Sequence, residues 1–135
     1  MNGTYELLDK KRNKENEKRI AITIKEQLRY NDYLRPARWA ARDYCIIGEG
    51  DHGEGVGKVQ AGLSFKVSGT KNLMRGGYVA VYLNWDDTYS VRVVRVRGSD
   101  MKLISLKNGI YCDNLGEVID EILDGNAWFF IKVVL

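Results

Sequence analysis

Histidine and proline each occur once in these 135 residues, at His52 and Pro36, and cysteine twice, at Cys45 and Cys112. A structural zinc site draws four closely spaced Cys and His ligands, and one histidine with two distant cysteines does not supply them. Two cysteines do not make a disulfide framework, so free thiols are expected. The longest apolar run, Ala127–Leu135, is broken by Lys132, whereas a membrane-crossing helix needs about twenty apolar residues. No membrane partner is expected. The opening MNGTYELLDKKRNKENEKR has no apolar stretch behind its charges, so no secretory leader is expected there and a cytoplasmic protein is the expectation. No metal, cofactor or catalytic signature survives inspection, and the expectation is a non-enzymatic protein.

Hydrophobic residues at 44% with 29% charged suit one globular domain able to bury a core without staples. The net charge of +3 conceals a segregation. Between Lys58 and Lys107 nine Lys or Arg face three acids, whereas Cys112–Gly125 holds five acids and no base. If the first segment is a sheet and the second a helix, one face is basic and the other acidic, a polarity suited to an anionic partner.

Residues 1–19 read as a charged, partly flexible extension, and 20–135 as the domain. Residues 9–19, all charged or Asn, either fray or lengthen the helix that follows. Ile20, Ile24 and Leu28 form an apolar stripe with Ile22 off it, which predicts a first helix to Tyr30. Pro36 in a first turn, followed by Ala37, Trp39, Ala40 and Ala41, predicts a short second helix to Asp43. Five glycines in residues 48–58 predict a flexible surface loop. Leu63, Phe65 and Val67 alternate with polar residues, as do Val79, Val81 and Leu83 with Tyr78, Ala80 and Tyr82, giving two half-buried strands. Asn84-Trp-Asp-Asp-Thr88 is hairpin-turn chemistry.

In the third strand Val91 and Val93 share one phase, Val94 and Val96 the other. A β-bulge near Val93–Val94 would keep all four valines inward and gather Arg92, Arg95 and Arg97 on one outer face. If the strand runs regularly, Arg92 parts from the other two. Gly98-Ser-Asp100 is a turn, Met101–Lys107 a fourth strand and Asn108-Gly109 a further tight turn. Asp113 is the expected N-cap of a helix whose Leu115, Val118, Ile119, Ile122 and Leu123 make one buried stripe ended by Gly125. The tail Trp128–Leu135, apolar on both phases, is either a covered strand or a homodimer contact. The expected fold is α+β: a four- to five-stranded antiparallel sheet, the C-terminal helix packed on one face, and one or two N-terminal helices.

Gly48-Glu-Gly-Asp-His-Gly53 has the form G-x-G-x-x-G. A dinucleotide turn must open a helix, however, and here more glycine and a strand follow, while Glu49, Asp51 and Glu54 would repel a pyrophosphate. A phosphate-binding loop also fails at Gly57-Lys58, because Val59 follows the lysine. His52 with Cys45 or Cys112 would make a nucleophilic pair only if something oriented the imidazole, and a glycine-rich loop is a poor mount. The better candidate is the arginine strand: Arg92, Arg95, Arg97, Lys66 and Lys102 interleaved with Tyr78 and Tyr82, and Trp85 in the adjoining turn. Phosphates want charge and unpaired bases want flat apolar rings, so such a face suits single-stranded nucleic acid. An ordinary solvated sheet face has the same composition. Double-stranded RNA-binding domains share the helix–strands–helix order, but they place basic residues where this chain has Asp113 and Glu117.

Ala40-Ala-Arg-Asp-Tyr44, Gly62-Leu-Ser-Phe-Lys-Val67, Asp87-Thr-Tyr-Ser-Val91, Arg97-Gly98 and Gly109-Ile-Tyr-Cys-Asp-Asn-Leu115 together resemble the pattern of an uncharacterised family of small bacteriophage and mobile-element proteins. The likeness spans roughly residues 22–123 and omits the glycine-rich insert, the charged extension and the apolar tail. It implies an accessory factor working in the host cytoplasm by stoichiometric protein binding, an inhibitor of a host defence nuclease of the anti-CRISPR or anti-restriction type. The partner it implies is that nuclease or its nucleic-acid complex.

Overall fold

The computed structural model describes residues 2–124, with side chains from residue 13 onward. Helix α1 (Asn2–Gln27) is followed by one turn of helix, α2 (Arg35–Arg38), and then by strands β1 (Arg42–Ile47), β2 (Gly50–Asp51), β3 (Lys58–Val67), β4 (Gly77–Asn84), β5 (Tyr89–Arg97) and β6 (Asp100–Ile110), before helix α3 (Leu115–Leu123). The sheet order is β1-β3-β4-β5-β6, with β2 extending the pairing of β3. Every pairing is antiparallel. The expected α+β architecture is therefore present. The tail at Trp128–Leu135 lies outside the described residues.

Both long helices cover the same face of the sheet. Ala21 and Ile24 of α1, Leu28 just past its end, and Leu115, Ile119 and Leu123 of α3 share one buried cluster with Leu63, Phe65, Val67, Val79, Val81, Val91 and Val93. Ile22 points away and is exposed, as its off-stripe position predicts. Helix α1 begins far upstream of Ile20 because Lys14, Glu15, Glu17, Lys18 and Arg19 are strong helix formers that need no core contact to extend an existing helix.

Several boundaries differ from those predicted. Helix α2 stops at Arg38 instead of Asp43, since Ala40 and Asp43 adopt left-handed φ of 51° and 54°. The pull is tertiary: Trp39 is fully buried and stacked at 6.1 Å on Phe65, and Arg42 has joined the sheet opposite Lys66. Asn114, not Asp113, is the N-cap of α3, and Asp124 in the left-handed region ends it. Asn108-Gly109 is no turn. β6 runs through it with a register shift, Tyr89 facing Ile110 and Val91 facing Lys107.

Strand β5 carries no bulge. It pairs regularly with β4, from Leu83–Tyr89 to Gly77–Arg95. The bulge lies at the predicted level but on the neighbouring strand: Val93 faces Ser105 and Val94 faces Leu103, leaving Ile104 as the extra residue of β6. Strict alternation therefore sends Val91 and Val93 to the core and Arg92, Val94 and Val96 to the outer face. Arg95 and Arg97 fall on the helix side, at the end of the sheet.

Candidate binding site on the outer sheet face

Cross-strand partners arrange the outer face in rows. The row through Ile47, Gly62, Tyr82 and Ser90 lies above one through Cys45, Ser64, Ala80, Arg92 and Leu106. Below them runs Arg42, Lys66, Tyr78, Val94 and Leu103, and last comes Val96 beside Met101.

The glycine-rich segment folds over the first two rows. β2 pairs with Lys58 and Val59, and a tight turn follows in which His52 N donates to Gly57 O at 2.9 Å. This segment was expected to be a flexible surface loop; it is instead bonded down. Asn108 Nδ2 donates to Gly55 O at 3.0 Å and Arg92 Nη2 to His52 O at 3.2 Å, while the His52 ring lies 5.2 Å from that of Tyr82. Gly55 takes a left-handed φ of +87°, which favours glycine, and a Cβ there would press on the tip of the Leu106 side chain, 2.5 Å from Cδ2. Under this cover Val59, Ala80 and Tyr82 form a second small core with Ile47 and Val56.

Four of the eight candidate residues, Lys66, Tyr78, Tyr82 and Arg92, thus meet on one face, and four do not join them. Tyr82 is only 4% exposed, and burial pushes its phenol above the ordinary tyrosine value. Arg92 is committed within the protein, donating to Tyr82 Oη at 3.2 Å and lying 5.6 Å over the same ring. Lys66 pairs with Asp43 at 3.4 Å. Arg95, Arg97 and Lys102 occupy the opposite side, and Trp85 is exposed in the β4–β5 turn. A continuous basic and aromatic face, as the bulge in β5 would have made, does not form.

What the face does contain is a groove of about 410 Å³ between His52 and Tyr82 on one side and Lys66 and Tyr78 on the other, with Ser64 and Ala80 beneath. Small residues in the middle of a sheet flanked by large ones leave such a hollow, and its lining is mostly apolar with a few polar groups, the usual make-up of a binding pocket. Cys45 and His52 both line it. No hydrogen bond joins them: Cys45 Sγ lies 3.7 Å from Asp43 O. His52 Nε2 is 2.8 Å from Gly48 O, and since a carbonyl only accepts, this nitrogen carries the proton. Cys112 is exposed at the far end of β6, across the whole sheet from Cys45 on β1, too distant to pair with it.

Beside the groove the outer face stays open and apolar. Met101 and Leu103 are 61% and 54% exposed, next to half-buried Val96 and Tyr78. Sequence reading missed this patch, because with all four valines turned inward β5 offers the outer face only arginines; the signal was the two-phase valine pattern itself. Among the described residues no three His, Cys, Asp or Glu side chains gather to hold a metal ion, and no helix is long and apolar enough to cross a membrane. No family model, curated protein or solved structure matches the chain.

Proposed function

We propose that this is a non-enzymatic binding protein that covers a protein partner with the open part of its outer sheet face, acting as a stoichiometric inhibitor of a host defence nuclease. The observation that supports a protein partner is the apolar patch of exposed Met101 and Leu103 with half-buried Tyr78 and Val96, laid over buried Val94, with the groove beside it. A contiguous apolar patch rimmed by polar groups is the mark of an interaction surface, and Tyr, Met and Arg are the residue types interfaces favour. The groove accepts an anchoring side chain from the partner, and the patch excludes water around it. The nuclease as partner rests on the resemblance to mobile-element proteins described above.

The test is titration of purified host restriction and CRISPR nucleases with the protein at low salt, using wild type and the paired variant Met101→Asp, Leu103→Asp. Both positions are exposed, so the fold survives the change. Loss of cleavage reaching completion near one equivalent, abolished by the variant, supports the reading. Undiminished cleavage at tenfold excess of wild type, with no nuclease captured, overturns it.

A further inference from the structure

Register places Arg95 directly opposite Lys102 on the next strand, and Arg97 opposite Asp100. Like charges facing each other across a ladder destabilise a sheet, so this pair does not serve the fold. Arg95, Arg97 and Lys102 form no ion pair within 4 Å among the described residues; the pairs there join Arg38 to Asp32, Lys66 to Asp43 and Lys71 to Asp124.

Their location is as informative as their number. Val79 and Val93 form the last fully buried pair of the central strands, and Gly77, Arg95 and Lys102 form the next row toward the end of the sheet. The three cations sit at the edge of the core, on the helix side, around a hollow of about 250 Å³ that they line with Asp100 and Met101. Arg95 is half-buried and Arg97 and Lys102 are exposed, so the hollow has one seated guanidinium and two cations that face solvent. Gly76 O accepts from Val96 N at 3.2 Å, which brings the exposed Arg75 to the same end of the sheet.

We infer that this basic end is a phosphate-binding site that takes the backbone of a nucleic acid strand. Guanidinium groups offer paired N–H donors matched to phosphate oxygens. Arg95 and Arg97, two residues apart on one strand, are rooted about 6.6 Å from each other. That spacing lets neighbouring phosphates of an extended strand meet neighbouring cations, with Lys102 as a third contact. No aromatic platform lines the hollow, so the contact reads charge and spacing and carries no base preference. The site shares only Met101 with the outer-face patch and stands whether or not that face binds a protein.

The experiment is fluorescence anisotropy of a labelled twenty-nucleotide oligo-dT strand, and of a duplex of the same length, across a salt series, with poly-glutamate as a competitor. Three phosphate contacts predict binding that weakens with salt at a logarithmic slope of about −2 on single strands. The variant Arg95→Gln, Arg97→Gln, Lys102→Gln should bind at least about tenfold more weakly and flatten that slope. A control, Lys14→Gln, Lys18→Gln, Lys58→Gln, removes equal charge elsewhere and should change little. Because Arg95 is half-buried, the exposed single variant Arg97→Glu repeats the test without risk to folding. No binding at low salt, equal loss in the control, or competition by poly-glutamate as effective as by unlabelled DNA each overturns the proposal.

Discussion

The bond between Trp39 and Asp120 ties the short helix α2 to α3 across 81 residues of sequence, at 2.8 Å from Nε1 to Oδ1. Trp39 is fully buried and Asp120 is 6% exposed, so both partners have left water. Trp39→Phe removes the N–H and one ring. A hydrogen bond to a charged group contributes about 1.5–3 kcal/mol, and the shrunken side chain adds roughly 1 kcal/mol of lost packing against Phe65. The expected cost is about 3 kcal/mol, which for a domain of this size lowers Tm by about 10 °C. Asp120→Leu leaves the indole N–H buried and unpaired, at about 1–3 kcal/mol. Asp120→Asn keeps an acceptor and should cost less than Asp120→Leu. The double variant Trp39→Phe, Asp120→Leu should be less destabilised than the summed single changes, by about 1–2 kcal/mol. Urea unfolding of the four proteins of that cycle measures this. Additivity within about 0.5 kcal/mol would refute the claim that the two side chains act as one contact.

Gly55→Ala forces a left-handed alanine against Leu106 and should cost about 1–2 kcal/mol; amide exchange at His52 and Gly57 should quicken ahead of the core strands, and unchanged protection there would contradict a bonded-down segment. Asp32 hydrogen-bonds Arg38, which holds its carboxyl below the ordinary 3.8 against the opposing effect of burial. Its contribution is therefore present above that value and lost as pH falls. Wild type should exceed Asp32→Asn in stability near neutral pH, and the gap should close in acid; a gap that persists there refutes the assignment. Burial raises the phenols of Tyr44, Tyr82 and Tyr89 above the ordinary 10.0. Stability that depends on keeping them neutral is intact below that value and lost as pH rises past it. Absorbance titration of Tyr82→Phe should then lack one late phenolate, and loss of a tyrosine titrating at the ordinary value instead would place Tyr82 in solvent.

Alternation and helical spacing decided much of this protein before any folding. Leu63, Phe65 and Val67, then Val79, Val81 and Leu83, could bury only one side of a strand, and Leu115, Ile119 and Leu123 only one side of a helix, so an antiparallel sheet with a helix on one face follows from the apolar pattern. The stripe at Ile24 and Leu28 places α1 on that same layer for the same reason. Local chemistry could not settle where Trp39 ends its helix, because the stacking on Phe65 and the bond to Asp120 reach across distant segments. Nor could it show that glycines 53–57 would lie down over Tyr82, since the anchors Arg92 and Asn108 belong to other strands.

The arginines turned on one register. Val91, Val93, Val94 and Val96 allow a bulge in β5 or a regular strand, and the two differ by a shift of one residue that flips every later side chain. Pairing with β4 held β5 regular and moved the extra residue to Ile104 on β6. The sequence by itself determined that a strand with three arginines would lie in the sheet. Only the neighbouring strands, through their hydrogen-bond ladders, decided that Arg92 would brace the outer face while Arg95 and Arg97 gather with Lys102 at the end of the other.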